Sequence, residues 1–142
     1  SETGLSAMVA GHYGVPTALV TGDDSTLRDA DGLLGAGRYV GVSTKRGISR
    51  LAAASVHPEV ARTRVRVGAE EALRRLPEFA PYRVETPVRL ELDFYYSPQA
   101  DIAALIPTTE RLGDRTLGIT TPDALSAYRT FLATYYISRD LV

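Results

Sequence analysis

The sequence contains no cysteine and no tryptophan, and among its 142 residues it has one methionine and two histidines. A chain without cysteine forms no disulfide and offers no thiolate to a metal, which makes a cytoplasmic location the default expectation. A zinc site needs His, Cys or carboxylate ligands that converge, and His12 and His57 are widely separated. We therefore expect that this chain does not build a complete zinc site alone.

The sequence also lacks an excess of charge of either sign and a long apolar run. Its formal net charge is -1, so it carries no basic footprint for nucleic acid or for an anionic membrane. No apolar stretch approaches the roughly 20 residues that span a bilayer. The expected partners therefore include neither nucleic acid nor a membrane.

The residues that are present occur in ordinary globular proportions. Hydrophobic residues make up 44% and charged residues 23% of the chain, which are typical values for a folded domain. A chain of 142 residues can bury a sizeable core. No repeat or linker composition divides the sequence, so we predict one domain.

The first residues predict a short helix that leads into a buried strand. Leu5, Met8 and Val9 recur at helical spacing, and Gly14 suits the left-handed residue that ends a helix. The apolar run at residues 17–21 then predicts a strand. A compact helix–strand unit therefore opens the chain.

Gly22, Asp23 and Asp24 directly follow this strand. In open α/β sheets, ligands collect past the carboxyl ends of strands, so the two carboxylates occupy a position where substrates are commonly bound. Alternatively, the aspartates cap the helix that follows. The residues alone favour the capping role.

A helix and a second strand come next, an order that predicts a parallel sheet because a parallel connection needs a crossover. Lys45 lies in the loop after the second strand, which would bring its charge to the same sheet edge as Asp23. Arg50 would follow one turn into the next helix. The predicted elements are helix 26–34 with Ser25 as its cap, strand 38–43, loop 44–47 and helix 48–56.

The second half predicts an α+β arrangement. Alternating polar and apolar residues at 88–96 predict an antiparallel or edge strand, and Gly113-Asp114 predicts the turn of a hairpin between strands 109–112 and 115–120. Helices are predicted at 58–76, at 98–105 and from Asp123 on. The predicted fold class is α/β, a three-layer mixed sheet with helices, whose C-terminal part is α+β with an antiparallel strand pair.

Several residues also form a pattern that is found in one peptidase family. The matching positions are Glu2, Gly4-Leu5, Ala7, Ala10-Gly11, Gly14-Val15-Pro16, Gly22-Asp23-Asp24, Lys45, Gly47, Arg50, Ala52-Ala53 and His57-Pro58, with the strand at 88–94 and the helix around Tyr128. This pattern resembles the M55 D-aminopeptidases, a family of zinc peptidases. The similarity covers nearly the whole chain, and the first residues are its most specific part.

The resemblance implies an amide or peptide hydrolase with a zinc site to which Glu2 contributes a ligand. In the family, the first half supplies an Asp-x-Glu motif and two metal-binding histidines, which this chain lacks. Residues 1–142 are then a single domain or the C-terminal portion of an M55-like domain that a separate N-terminal chain completes. The implied partners are that N-terminal portion or a companion subunit, further copies in a homo-oligomer, and a small peptide or amide substrate.

The resemblance also assigns roles to further side chains. Lys45 is implied to be catalytic, and Asp23, Asp24 and Arg50 are implied to bind substrate at the edge of the sheet. Ser6 stands where the family has an asparagine.

A second hypothesis needs no metal. Ser1 stands where the family has glycine, and N-terminal nucleophile hydrolases mature by cleavage before such a residue, whose new α-amine serves as a base for its hydroxyl. Ser1 Oγ would attack an amide or ester in a self-cleaved hydrolase or acyltransferase, and Ser6 or backbone amides would stabilise the oxyanion. A separately encoded subunit, or a terminus introduced by cloning, explains Ser1 equally well.

A third hypothesis is a noncatalytic assembly or binding module. The alternating strand at 88–96 and the aromatic final helix would then form an interface. The charged residues at the sheet edge would be solvated.

Overall fold

The computed structural model describes residues 1–140, which form two compact units that divide after Arg83. No helix among these residues is both long and apolar enough to cross a bilayer. The first unit contains α1 (Glu2–His12), β1 (Leu19–Asp23), α2 (Asp24–Leu34), β2 (Val40–Ser49), β3 (Ala52–Ser55), α3 (Pro58–Arg74) and a short 3-10 turn (Leu76–Glu78). The second contains β4 (Val88–Asp93), α4 (Ser97–Ala103), β5 (Thr109–Arg111), β6 (Thr116–Thr121) and α5 (Ala124–Ser138).

The first unit is built on a mixed sheet in the order β1-β2-β3, in which β1 is parallel and β3 antiparallel to β2. Val40 and Val42 of β2 pack with Ala72 of α3. Val20 of β1 packs with Ala30 of α2 in a separate cluster. Because successive side chains of a strand point to opposite faces, the two helices cover opposite faces of the sheet. This arrangement confirms the predicted three-layer mixed sheet.

α1 is held by a close backbone contact. Gly11 is buried, and a Cβ added there would overlap the carbonyl group of Tyr82. The helix gives way to Gly14, which has a φ of 75° and confirms the predicted left-handed residue. The absence of a side chain at Gly11 therefore sets how near α1 comes to the segment that follows α3.

Asp23, rather than Ser25, caps α2. Asp23 Oδ1 accepts hydrogen bonds from Thr26 N at 2.8 Å and from Thr26 Oγ1 at 2.9 Å. The Ser25 hydroxyl instead accepts from Arg28 Nη2 at 2.8 Å. β1 thus passes into α2 without a linker, which confirms the capping role of Asp23 and shows that the cap predicted at Ser25 was wrong.

The predicted helix at residues 48–56 is wrong. β2 continues through the predicted loop at 44–47 as far as Ser49, and the chain turns back into β3. Val56 N donates to Thr44 O at 3.2 Å, which closes the hairpin. The alanines of β3 favour a helix, but this preference is below about 1 kcal/mol per residue, and strand pairing outweighs it.

The second unit contains an antiparallel sheet in the order β4-β6-β5. Leu117 and Ile119 of β6 are fully buried, as is Ala127 of α5. The antiparallel pairing of β5 with β6 confirms the predicted hairpin, and β4 pairs with the other side of β6. The predicted α+β character of this part is therefore confirmed.

We predict that Gly11→Ala destabilises the protein and that Gly32→Ala does not. The methyl group at position 11 meets the backbone of Tyr82, and overpacking of this kind costs about 1–3 kcal/mol. Gly32 in α2 has no atom within 4 Å of an added Cβ, so alanine there should stabilise the helix by roughly 0.5–1 kcal/mol. Urea denaturation measures both changes, and equal midpoints for the two variants would contradict the packing of α1.

Candidate functional site

A cleft of about 400 Å³ lies between α1 and β1. Its wall combines apolar side chains with hydroxyl groups and one carboxylate. The residues that line it are Glu2, Thr3, Ser6, Ala7, Ala10, Pro16, Thr17, Leu19, Val20 and Thr21. Apolar walls with a few polar groups are the usual form of a small-molecule site.

Glu2 is the first residue of α1, and its exposed side chain borders the cleft. Within residues 1–140, its carboxylate takes part in no hydrogen bond or ion pair. The free N–H groups and the dipole of a helix favour negative charge at this end. Glu2 is therefore an oxygen ligand available to a metal ion or a substrate.

Ser1 and Ser6 have different surroundings. Ser1 Oγ caps α1 by accepting a long hydrogen bond of 3.4 Å from Gly4 N. Ser6 lies about one turn beyond Glu2 and lines the cleft. Of the two serines predicted to be catalytic, the structure places Ser6 at the cleft and engages Ser1 in the helix cap.

Asp23 and Asp24 lie where β1 ends beside β2. Asp23 is the register partner of Lys45, after an irregularity that follows Gly22. Asp24 Oδ1 accepts a hydrogen bond from Gly47 N at 2.8 Å. Because β1 has ended at this point, the carboxylate of Asp24 satisfies an N–H of β2 that a longer β1 would otherwise pair.

Both aspartates are stabilised in their ionised form. Hydrogen bonds from the backbone N–H and the hydroxyl of Thr26 lower the pKa of Asp23. The hydrogen bond from Gly47 N–H, followed by that from the Arg28 guanidinium at 2.9 Å, lowers the pKa of Asp24. The two carboxylates are charged at neutral pH and hold the corner between β1 and α2 against β2.

Lys45 and Arg50 are both exposed, at different places in the first unit. Lys45 carries its charge beside Asp23, as predicted for this sheet edge. Arg50 lies in the turn between β2 and β3, not in the helix that was predicted around it. The structure therefore brings Lys45 to the aspartates and leaves Arg50 at the tip of the hairpin. Substrate binding by Arg50 stays a prediction.

Thr17 and Thr21 line the cleft, although the sequence reasoning did not select them. The signal in the sequence was a hydroxyl residue at each end of an apolar run. That signal is weak, because threonine is also common in strands for reasons of packing.

Within residues 1–140, no group of three or more His, Cys, Asp or Glu side chains is placed to hold a metal ion. Glu2 meets the requirement for one zinc ligand, because a free carboxylate at a cleft is a suitable oxygen donor. The described residues therefore offer the Glu2 carboxylate as a donor, without a group of three side chains that would complete a metal site.

The fold and the cleft define an α/β protein with an acidic side chain available beside a parallel strand. The sequence model of the Peptidase_M55 family, described as D-aminopeptidase, matches residues 1–133. The chain therefore belongs to the M55 peptidase family, which confirms the resemblance seen in the sequence.

A curated sequence and a solved structure are similar over most of this chain. A D-aminopeptidase from Bacillus subtilis (strain 168) is 32% identical over 132 residues, which are 92% of this chain and 47% of that protein. The structure of the Zn-dependent D-aminopeptidase DppA from Bacillus subtilis, called a self-compartmentalizing protease, matches with a TM-score of 0.91 and 29% identity over 98% of this chain and 50% of that one. The chain thus spans about half the length of these relatives.

We predict that Asp24→Asn lowers stability at neutral pH and reduces the loss of stability in acid. The folded pKa of Asp24 lies below the ordinary value of 3.8, so its carboxylate stabilises the fold above that pH. This contribution is lost as the pH falls below 3.8 through the lowered pKa. The difference in urea midpoint between wild type and variant should therefore be largest at neutral pH and shrink in acid.

Asp29→Asn is the matched control for this measurement. Asp29 is exposed on the same helix and makes no ion pair with the described residues. An equal loss of stability in both variants, or a difference that does not change with pH, would contradict the role of Asp24.

Proposed function

We propose that the M55 protein containing this chain is a zinc-dependent aminopeptidase for small peptides with an amino-terminal D-residue, and that Glu2 is one of its zinc ligands. The observation that carries the proposal is the uncommitted carboxylate of Glu2 at a cleft, in a chain of the M55 family. The curated sequence is called a D-aminopeptidase, and the solved structure a Zn-dependent D-aminopeptidase. These names support the reaction class and the metal.

When bound, zinc supplies activation of water and polarisation of the scissile amide carbonyl. Within this chain, Glu2 would hold the metal, and the first turn of α1 would orient its carboxylate. Ser6 lines the same cleft and offers a hydroxyl to the substrate. The apolar neighbours Ala10, Pro16 and Leu19 would exclude water from around the substrate side chain.

The resemblance extends the proposal to the sheet edge. Lys45 would serve as a catalytic group and Arg50 as a substrate-binding group; both side chains are exposed, and neither lines the cleft. The carboxylates of Asp23 and Asp24 already accept hydrogen bonds within the protein. These two residues would therefore affect substrate binding indirectly, by fixing the position of the junction between β1 and α2.

The remaining zinc ligands are proposed to come from the half of an M55 protein that this chain does not cover. The self-compartmentalizing relative supports a homo-oligomer. The cytoplasmic location expected from the absence of cysteine stays a prediction.

A catalytic Ser1 is the alternative within the hydrolase class. Its hydroxyl caps α1 and is not among the groups that line the cleft, so the contacts favour Glu2. Self-cleavage before Ser1, a companion subunit and a noncatalytic role stay predictions.

The test uses the full-length M55 protein and its Glu2→Gln variant. Glutamine keeps the shape of the side chain and removes the charge that binds zinc. A change beside a metal ligand costs about 10–100-fold, so loss of a ligand itself should lower kcat/KM for D-alanine p-nitroanilide by more than roughly 100-fold. Zinc content, measured by mass spectrometry of the purified protein, should fall in parallel.

Two further variants separate the explanations. Glu59→Gln is the matched control, since Glu59 is also an exposed glutamate in the first turn of a helix. Normal zinc content and activity in Glu2→Gln would overturn the proposal. Inactivity of Ser1→Ala with its zinc retained would favour the serine nucleophile.

A further inference from the structure

We infer that a second pocket of the first unit binds a small organic anion, in which a carboxylate is attached to an apolar group. The pocket has a volume of about 380 Å³, within the usual range for small-molecule sites. It shares only Thr17 with the cleft that Glu2 borders. The inference does not rest on the proposed function, because none of the proposed zinc-binding, catalytic or substrate-binding residues lines this pocket.

The pocket lies at the opposite end of the parallel strands from Asp23. Thr17 comes two residues before β1, Arg38 comes two residues before β2, and Leu34 ends α2. Asp23 is the last of the five residues of β1, and each residue of a strand adds about 3.3 Å. The length of β1 therefore separates the pocket from the junction of β1 and α2.

Two guanidinium groups, those of Arg38 and Arg83, line the pocket. Both side chains are exposed, and within residues 1–140 neither guanidinium takes part in a hydrogen bond or an ion pair. The lining contains no aspartate or glutamate. Arg28 and Arg75 of the same unit, in contrast, are each paired with a carboxylate. The pocket therefore carries positive charge that no described side chain neutralises.

The backbone positions both arginines at the pocket. Gly35 has a φ of 91°, and a Cβ added there would lie 3.2 Å from Cδ of Arg38. The carbonyl end of α2 also favours a cation at this place. The residue before Arg83 is fixed by the close contact of the Tyr82 carbonyl group with Gly11. Both cations are thus held beside the pocket before a ligand arrives.

The rest of the lining determines which anion fits. Four of its side chains are apolar, those of Leu33, Leu34, Ala80 and Pro81. Thr17 and Tyr82 add hydroxyl groups that form no hydrogen bond within residues 1–140. Guanidinium groups bind carboxylates through paired N–H donors, and the apolar wall suits a carbon skeleton. A free amino acid fits less well, because the lining offers no carboxylate to its ammonium group.

Equilibrium dialysis of radiolabelled benzoate against the full-length M55 protein tests the site. Arg38→Gln and Arg83→Gln each remove one charged donor, which should weaken benzoate binding about tenfold or more. Benzamide has nearly the same shape but no charge, so it should compete with benzoate only at roughly tenfold or higher excess.

Arg62→Gln is the matched control for the loss of one positive charge. Arg62 is exposed on α3, makes no ion pair with the described residues and does not line the pocket. Its variant should bind benzoate as the wild type does. An equal loss of binding in Arg62→Gln and in the two pocket variants would overturn the inference in favour of a general effect of net charge.

The same dialysis with Glu2→Gln separates this pocket from the zinc site, because a carboxylate also coordinates zinc. Glu2→Gln should keep the binding that depends on Arg38 and Arg83. Benzoate binding that is lost in Glu2→Gln and kept in the double variant Arg38→Gln/Arg83→Gln would overturn the inference. Absence of saturable binding to the wild type, or equal affinity for benzoate and benzamide, would overturn it as well. Zinc content and turnover of Glu2→Gln decide the proposed function whatever the outcome for benzoate.

Discussion

The parallel pairing of β1 with β2 is the constraint on which the candidate site depends. It sets the register that places Asp23 beside Lys45 and brings the start of α2 to β2. There the carboxylate of Asp24 accepts the hydrogen bond from Gly47 N at 2.8 Å. Hydrogen bonds to a charged acceptor are stronger than neutral ones. This contact therefore helps to fix the junction of β1 and α2 against β2.

Two features of the cleft lack a partner among the described residues. Glu2 offers a carboxylate without a partner, and β1 offers a strand edge without a neighbour. The proposal that the rest of an M55 protein supplies further zinc ligands would account for the free carboxylate of Glu2. A metal site that is complete only when distant segments have joined couples metal binding to folding. Zinc would then stabilise the union of the two halves as well as serve catalysis.

The sequence predicted those parts of the first unit whose signals are local. The apolar run at 17–21 and the left-handed Gly14 together located α1 and β1. The hairpin of β2 and β3 was missed because alanine favours a helix, although its pairs, from Lys45 with Ser55 to Ser49 with Ala52, lie close together in the sequence. The hydrogen bond from Gly47 to Asp24 spans 23 residues and leaves no local pattern. The role proposed for Glu2 rests on the family resemblance, because one glutamate at a helix start has no distinctive spacing.

Diffraction at the zinc absorption edge, from crystals of the full-length M55 protein, tests most directly whether Glu2 belongs to a shared metal site. We expect an anomalous peak about 2.0–2.2 Å from a carboxylate oxygen of Glu2, the usual distance for zinc and a carboxylate. The other ligands of that metal should come from outside this chain. Zinc bound with a full set of ligands that does not include Glu2 would contradict the shared site.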